Sequence, residues 1–203
     1  MTRIGVLALQ GDVEEHIYAL MKASKTSNLN VEVVEVKKPS QLDSIDGLVI
    51  PGGESTTIRY LASYIGLTPK LKAKIEEGIP TLATCAGLVI LAKKARDAVL
   101  KEPEQSLLGV LNVEVLRNAF GRQKDSFETK LLVEGFGEVK AVFIRAPIVT
   151  EVWNPAKPIS KLNHPKLGEV IVAVKQENII GLAFHPELTT TAFHEWLINE
   201  AIK

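Results

Sequence analysis

Short apolar runs alternate with helical patterns along the first half of the sequence, and this alternation restricts the possible folds more than any other feature. Four runs rich in β-branched residues have the length of buried strands: 4–9, 31–36, 47–50 and 81–84. The segments between and after them have helical patterns: 12–25, 55–64, 69–77 and 86–94. Strands separated by helices form βαβ units, whose strands are parallel. The first half therefore predicts a mostly parallel sheet with helices on both faces.

The second half has a different pattern, with strand-like runs separated by short turns. These runs are 110–116, 131–134, 139–145, 169–175 and 179–184, and a final amphipathic helix is predicted at 190–202. Short turns join antiparallel strands. The expected fold class is therefore α/β, with three layers, a mostly parallel central sheet, helices on both faces and a smaller antiparallel portion. The polar segments 96–105 and 154–165 are the most loop-like, but neither is long enough to separate domains. A single domain spanning 1–203 is expected.

Composition and charge exclude several classes of protein. The 203 residues contain 24 Lys and Arg against 24 Asp and Glu, so no basic excess attracts nucleic acid or an anionic membrane. The apolar start is shorter than the core of a signal peptide and far shorter than a membrane span. One cysteine permits no intramolecular disulfide, which fits a reducing compartment. We expect a cytoplasmic protein that binds neither nucleic acid nor membrane.

The single cysteine, Cys85, lies between a predicted strand and a predicted helix in T-L-A-T-C-A-G-L-V-I (81–90). A lone cysteine is usually a small buried hydrophobe. Here its neighbours Ala83, Ala86 and Gly87 are as small as a nucleophile elbow requires, although Ala83 stands where that pattern usually has glycine. A helix N-terminus favours a thiolate, and the Ala86 N–H would face an oxyanion. The segment therefore predicts a nucleophile.

A thiol nucleophile needs a base, and His185 is the candidate. The other three histidines are interpreted as structural or solvated: His16, His164 and His194. His185 follows the apolar run 179–184, and strand ends are where α/β folds place their chemistry. Extended residues two apart point the same way, so Glu187 can orient the imidazole. The pattern predicts a Cys85–His185–Glu187 triad; the alternative for H-P-E is a turn with a solvated glutamate.

A glycine-containing turn, P-G-G-E-S-T at 51–56, follows the predicted strand 47–50. Adjacent glycines let a backbone approach a ligand closely. The lysine and the spacing of a phosphate-binding loop are absent. Two interpretations stay open. One is a plain strand-to-helix turn with Ser55 or Thr56 as N-cap, and the other is a backbone donor for an oxyanion, with Glu54 available to bind a cationic amine.

Two arginines supply the opposite charge. Arg117 stands in R-N-A-F-G-R-Q (117–123) and Arg145 in F-I-R-A-P (143–147). A guanidinium can hold a carboxylate, although an isolated arginine is more often a surface charge. An anionic and a cationic partner beside a Cys–His–Glu site would suit an amino acid with a carbonyl on its side chain.

Six motifs in order carry a family resemblance: L-A-L-Q-G-D, P-G-G-E-S-T, T-C-A-G-L, R-N-A-F-G-R-Q-K-D-S-F, F-I-R-A-P and F-H-P-E-L. Together they closely resemble the glutaminase subunits of pyridoxal 5′-phosphate synthase over nearly the whole chain. The elbow and H-P-E alone would indicate only the broader class I glutamine amidotransferases. Q-G-D, G-G-E-S-T and N-A-F-G-R-Q narrow the resemblance to the vitamin B6 branch.

The resemblance implies hydrolysis of L-glutamine to L-glutamate and ammonia, without a cofactor or metal. It implies that the ammonia passes to a barrel-shaped, oligomeric synthase subunit that builds pyridoxal 5′-phosphate. By motif, Cys85, His185 and Glu187 form the triad, and the N–H groups of Gly53 and Ala86 form the oxyanion hole. Gln10 lies in a partner-facing segment that helps to order this hole. The implied glutamine-binding positions are Gly53, Glu54, Ser55, Arg117, Ile144 and Arg145.

Subunits of this family are typically weak glutaminases until the synthase docks. Two adjacent glycines make a peptide flip easy. Our hypothesis is that the Gly52–Gly53 peptide rests with a carbonyl in the oxyanion hole and that docking turns it to present the Gly53 N–H.

Three alternative functions stay open at this point. They are a thiol peptidase or hydrolase of the same fold, a non-catalytic binding protein, and an amidotransferase for another acceptor pathway. Glu54 with the two arginines argues against the first, because these charges suit a free amino acid. An intact triad argues against the second, and the G-G-E-S-T and N-A-F-G-R-Q motifs argue against the third.

Overall fold

The structure, a computed structural model, describes residues 1–98, 108–121 and 123–203. Strands and helices alternate in the first half: β1 (Thr2–Leu7), α1 (Val13–Thr26), β2 (Val31–Val36), β3 (Gly47–Ile50), α2 (Ser55–Tyr64), α3 (Thr68–Glu76), β4 (Thr81–Thr84), α4 (Ala86–Leu91) and β5 (Ala92–Asp97). The second half is mainly strands and ends in a helix: β6 (Leu111–Arg117), β7 (Phe127–Val133), β8 (Gly137–Phe143), β9 (Ile148–Val152), β10 (Lys157–His164), β11 (Gly168–Gln176), β12 (Ile179–Leu182) and α5 (Ala192–Ile202).

Ten of the described strands form one sheet, in the order β2-β1-β3-β4-β12-β11-β9-β6-β5, with β10 beside β11. The five strands from β2 to β12 in this order are parallel to one another. Strand β11 runs antiparallel to β12, β9 and β10, and β7 and β8 form a separate antiparallel pair. The predicted α/β class, with its smaller antiparallel portion, is confirmed.

Helices cover the parallel half in two groups. Helix α1 packs against α5, which also packs on β1, β3 and β4. Helix α2 packs against α3 and α4, and α4 packs on β3, β4 and β12. The aliphatic side chains between these layers are fully buried, and burial of each stabilises the fold by about 1.5–3 kcal/mol. Within the described ranges, no helix has both the length and the apolar character needed to cross a bilayer.

The predicted helix 86–94 is too long, because α4 ends at Leu91 and the chain continues as β5. The sequence A-K-K-A-R at 92–96 has good helix formers. Pairing with β6 gives these residues parallel ladder hydrogen bonds instead, and Ala92 and Ala95 are buried. The polar segment 96–105 was expected to be a loop. Its first two residues belong to β5, and 99–105 lie outside the described residues.

The prediction of a loop at 154–165 is wrong for most of its length, because β10 occupies Lys157–His164. This strand pairs with β11 and buries Ile159, Ser160 and Leu162, while Lys157, Lys161 and Asn163 are exposed. Polar residues dominate such an outer strand, so its hydrophobic pattern is weak. The strand β9 was not predicted.

The carboxyl ends of the parallel strands meet at one edge of the sheet. There, β1 leads into residues 8–12, β3 into 51–54, β4 into Cys85 and β12 into 183–187. The fold therefore brings Q-G-D, P-G-G-E-S-T, T-C-A-G-L and F-H-P-E-L to the same place.

Candidate active site

Cys85 stands at a sharp turn between β4 and α4. Its backbone has φ 46° and ψ −101°, a strained conformation for a residue with a side chain. Its N–H donates to the carbonyl oxygen of Leu182 (2.8 Å), which anchors the turn to β12. A Cβ at Gly87 would lie 2.2 Å from the backbone oxygen of Ile50, so only glycine fits there. This is the geometry of an elbow that projects one side chain from the end of the sheet.

His185 and Glu187 form a buried pair at the end of β12. The His185 Nδ1 lies 2.7 Å from Glu187 Oε1, and the His185 N–H donates to the Val142 carbonyl oxygen (2.9 Å). Residues Pro186–Leu188 form a 3₁₀ turn rather than the extended backbone that we expected. The glutamate nevertheless lies beside the imidazole and is only 8% exposed, so the alternative of a solvated glutamate is wrong.

A second carboxylate, which the sequence analysis missed, approaches the same imidazole nitrogen. Asp12 Oδ2 lies 3.2 Å from His185 Nδ1. Burial alone would lower the pKa of His185, but hydrogen bonds with Asp12, Cys85 and Glu187 outweigh it and raise that pKa from 6.5 to about 12. Burial raises the pKa of Glu187, and the hydrogen bond from His185 opposes that rise. The imidazole is therefore held as an imidazolium between two carboxylates.

Asp12, His185 and Glu187 each offer one ligand atom, and these atoms lie within 4.8 Å of one another. A metal ion could bridge such a set. A proton on His185 Nδ1 also explains why the two carboxylates lie so close to this nitrogen, because each has an oxygen within hydrogen-bond distance of that N–H. Asp12 lies in the loop that follows β1, so its position at the shared sheet edge was the signal in the sequence that could have revealed it.

The loop after β1 and the glycine loop after β3 are fastened together. Gln10 Oε1 accepts a hydrogen bond from the Glu54 N–H (2.7 Å), and the Asp12 N–H donates to the Gly52 carbonyl oxygen (3.3 Å). A Cβ at Gly11 would lie 1.8 Å from that oxygen. Gly53 has φ +141°, which favours glycine. Any movement of the loop at Gln10 must therefore displace the glycine loop.

Glu54 is the N-cap of α2, whereas the interpretation of 51–56 as a plain turn had Ser55 or Thr56 there. Its Oε2 accepts hydrogen bonds from the N–H (2.9 Å) and the hydroxyl (3.1 Å) of Thr57. Burial raises the pKa of Glu54, but the Thr57 bonds and the charge of Arg117 outweigh it and lower that pKa. Glu54 is therefore an anion whose other oxygen, Oε1, lies 3.2 Å from Arg117 Nη2.

These groups lie around one small cavity of about 170 Å³. Sites for drug-sized ligands are larger, at about 300–1,000 Å³, so this volume suits a single amino acid. Cys85, Ala86, His185 and Asp12 line it, as do all six of the expected glutamine-binding residues: Gly53, Glu54, Ser55, Arg117, Ile144 and Arg145. Arg145, with φ 46°, places its Nη2 3.5 Å from Asn118 Oδ1.

Two further histidines lie behind the cavity. His16 and His194 are wholly buried rather than solvated, and His16 Nδ1 lies 2.9 Å from His194 Nε2. Burial lowers the pKa of both, that of His194 to about 3. The buried residues of α1 recur at His16, Ala19, Leu20 and Ala23, a spacing that places His16 on the buried helix face and could have been read from the sequence.

The buried histidines should weaken the fold in acid. Above pH 6.5 they are neutral in both states. Below pH 6.5 these histidines bind protons in the unfolded chain but stay neutral in the folded chain. The free energy of unfolding therefore falls by up to about 1.4 kcal/mol per pH unit for each histidine. For His194 the fall continues towards pH 3. Urea unfolding of wild type and His194→Gln between pH 6 and 4 tests this. We expect the free energy of unfolding to depend less steeply on pH in the variant; equal slopes would contradict the assignment.

His185 has the opposite effect on stability. Its stabilising contribution is complete below pH 6.5 and is lost as the pH rises towards 12.

The fold and this site define a class of protein, the glutamine amidotransferases. A solved structure described as a glutamine amidotransferase is 40% identical, has a TM-score of 0.83, and is matched over 98% of this chain and 99% of its own. A glutamine amidotransferase from Thermotoga maritima, at 16% identity and a TM-score of 0.55, shares the fold over 92% of this chain and 76% of its own.

Within that class, the chain belongs to the SNO glutamine amidotransferase family, which matches residues 6–203. Similar proteins are the pyridoxal 5′-phosphate synthase subunits PdxT of Pyrobaculum arsenaticum, 54% identical over 98% of both chains, and of Hyperthermus butylicus, 53% identical over 99% of this chain and 98% of its own. The subunit of Korarchaeum cryptofilum is 46% identical over 98% of both chains. The resemblance drawn from the six motifs is confirmed.

Proposed function

We propose that this protein is the glutaminase subunit of a pyridoxal 5′-phosphate synthase, formed as a single domain over 1–203. It hydrolyses L-glutamine to L-glutamate and ammonia and delivers the ammonia to a synthase subunit. The observation that carries this proposal is the cavity itself, in which a cysteine on a strained elbow and a carboxylate-bound histidine meet all the expected substrate-binding residues.

Cys85 is the nucleophile in this mechanism. The His185 imidazolium stabilises the thiolate, whose sulfur attacks the carbon of the glutamine side-chain amide. The N–H groups of Ala86 and Gly53 stabilise the resulting oxyanion. His185 then gives its proton to the leaving nitrogen, so ammonia departs and a γ-glutamyl thioester forms on Cys85. Glu187 keeps the imidazole oriented throughout.

Water completes the reaction. The now neutral His185 takes a proton from a water molecule whose oxygen attacks the thioester carbon. The carbon–sulfur bond breaks, glutamate leaves, and the thiolate–imidazolium pair is restored. Asp12 and Glu187 both stabilise the imidazolium in this step, because each places a carboxylate oxygen near Nδ1.

Substrate recognition uses the ion pair between Glu54 and Arg117. A free amino acid carries both charges at its α-carbon, so its ammonium can bind Glu54 while Arg117 and Arg145 bind its carboxylate. A peptide lacks this pair of charges, and the small cavity leaves little room for one. These features favour glutaminase over a thiol peptidase.

Arg117→Ala should chiefly weaken glutamine binding. A charge-assisted hydrogen bond is worth about 1.5–3 kcal/mol, so we expect the KM for glutamine to rise about 10- to 100-fold with a smaller change in kcat. Ammonia release at varied glutamine concentration, with the synthase present, measures both constants. Arg3→Ala is the control, because Arg3 pairs with Glu32 and does not line the cavity. An unaltered KM in Arg117→Ala would contradict the carboxylate role.

The synthase partner is a barrel-shaped, oligomeric subunit, and the complex is cytoplasmic and binds neither nucleic acid nor membrane. Gln10 faces this partner. Support for a link between docking and catalysis comes from the hydrogen bond between Gln10 and the Glu54 N–H, through which a displacement at Gln10 reaches Gly53. The flip of the Gly52–Gly53 peptide stays a prediction that comparison of the free and docked loops would test.

The direct test of the function is ammonia release from glutamine, with and without the candidate synthase. We expect glutamine-dependent release that increases when the synthase is added, and formation of pyridoxal 5′-phosphate with glutamine as the nitrogen source. Absence of release with the synthase present would refute the proposal. Formation of a different aminated product would indicate another acceptor pathway.

A further inference from the structure

Glu187 has a second carboxylate oxygen that the triad does not use. Its Oε1 accepts from His185, whereas Oε2 is buried and has no hydrogen-bond partner within ordinary limits among the described residues. The Nε2 atom of His16 lies 3.5 Å from this oxygen, and neither side chain is exposed. A buried carboxylate oxygen without a donor is costly, so the protonation of His16 decides whether this contact is favourable.

Counting protons settles which nitrogen of His16 carries hydrogen. Burial keeps His16 and His194 neutral, so each ring has one N–H. Their facing nitrogens are 2.9 Å apart, which requires one to donate and the other to accept. Either His194 Nε2–H donates to His16 Nδ1, or His16 Nδ1–H donates to His194 Nε2.

The second arrangement has two faults. It would leave the His194 proton on Nδ1, a buried atom without a partner among the described residues, and orphaned buried N–H groups are rare. It would also make His16 Nε2 an acceptor, which could take a hydrogen bond from the Thr84 hydroxyl but would offer no N–H to Glu187 Oε2, 3.5 Å away. The first arrangement avoids both, since His16 then has its proton on Nε2. That N–H donates to Thr84 Oγ1 (3.0 Å) and points into the region of the carboxylate.

We infer that His16 is a positioning residue for the glutaminase reaction, acting through Glu187. Its Nε2–H, fixed by Thr84 and by donation from His194, supports Oε2 and holds the glutamate against His185. The N–H groups of His185 and His16 then lie at opposite oxygens of the Glu187 carboxyl group. Hydrogen bonds around catalytic groups are often long in the free enzyme and shorten in the reacting complex. This inference rests on the proposed function.

The kinetic test compares variants of His16 with the synthase present. His16→Leu removes the donor, and we expect kcat to fall about 10- to 100-fold, the size of effect seen when a group that orients a metal ligand is lost, with KM changed less than about threefold. His16→Gln offers an amide N–H near the Nε2 position and should recover most of kcat. Glu187→Gln gives the upper limit of the loss. A His16→Leu enzyme with wild-type kcat would overturn the inference, as would a loss that His16→Gln does not relieve.

A spectroscopic test does not depend on enzyme activity, and it needs only one variant, which identifies the signals of His16. In protein labelled with ¹⁵N-histidine, we expect His16 to be the neutral tautomer protonated on Nε2, with His16→Gln identifying its signals. A proton on Nδ1 would overturn the inference even if the enzyme is active. Failure of wild type to release ammonia with its synthase would instead refute the proposed function, while the tautomer would still report on the hydrogen-bond direction. His164→Leu is the matched control for loss of a histidine, because His164 lies on β10 and does not line the cavity.

Discussion

Replacing Cys85 with alanine should abolish ammonia release from glutamine. No other residue lining the cavity offers a thiol, and loss of a covalent nucleophile lowers kcat by about 10⁴-fold or more. The variant should fold, because the φ of 46° is no worse for alanine than for cysteine. It should also bind glutamine, since Glu54 and Arg117 are unchanged. Ammonia release with the synthase present, together with calorimetric glutamine binding, measures both expectations.

A glutamine-like electrophile provides the complementary measurement. The reagent should label Cys85 in wild type and leave Cys85→Ala unlabelled. It should label His185→Ala slowly, because the Cys85 thiolate is then no longer stabilised by the imidazolium. If Cys85→Ala releases ammonia at the wild-type rate, the assignment of Cys85 as the nucleophile is refuted, whatever the labelling shows.

Replacing Gly87 with alanine should damage the elbow. The new Cβ would lie 2.2 Å from the backbone oxygen of Ile50. Backbone cannot rotate away as a side chain can, so α4 would have to move from β3 and carry Cys85 with it. Overpacking typically costs about 1–3 kcal/mol, and we expect at least the upper value. At about 2–4 °C per kcal/mol, this predicts a Tm lower by about 6–12 °C.

Gly181→Ala is the matched control for this variant. Its Cβ would also be too close to a neighbour, but that neighbour is a methyl group of Leu88 (2.7 Å), which can shift. We expect a smaller fall in Tm and retained glutaminase activity. If thermal unfolding showed equal Tm values for Gly87→Ala and wild type, the tight packing of the elbow on β3 would be refuted.

Local patterns were sufficient to predict the parallel half of the fold and the contact between His185 and Glu187. The strand-to-helix alternation fixed the βαβ units, and the rule that strand ends meet at one edge placed Cys85 and His185 together. The predicted end of α4 was wrong. The residues that follow Leu91 favour helix locally, but they form β5 by pairing with β6, a distant interaction that the local sequence does not contain. Strand β10 was missed for the same reason.

The electrostatics of the site were only partly predictable. Glu54 and Arg117 were expected as separate substrate contacts, yet they form an ion pair with each other. Asp12 and His16 were missed, although both contact the triad. The position of Asp12 after the first strand and the helical spacing of His16 could have placed each near the site, but local sequence does not identify the C-terminal residue that each one contacts.

The central position of β12 has a consequence for protein synthesis. This strand is inserted between β4 and β11, yet it follows every other described strand of the sheet in chain order. Until it leaves the ribosome, β4 has an open edge and the nascent chain lacks both His185 and Glu187. By the proposed mechanism, the growing polypeptide therefore cannot hydrolyse glutamine, however much of its first half has already folded. On that mechanism, ammonia production begins only after β12 has joined the sheet.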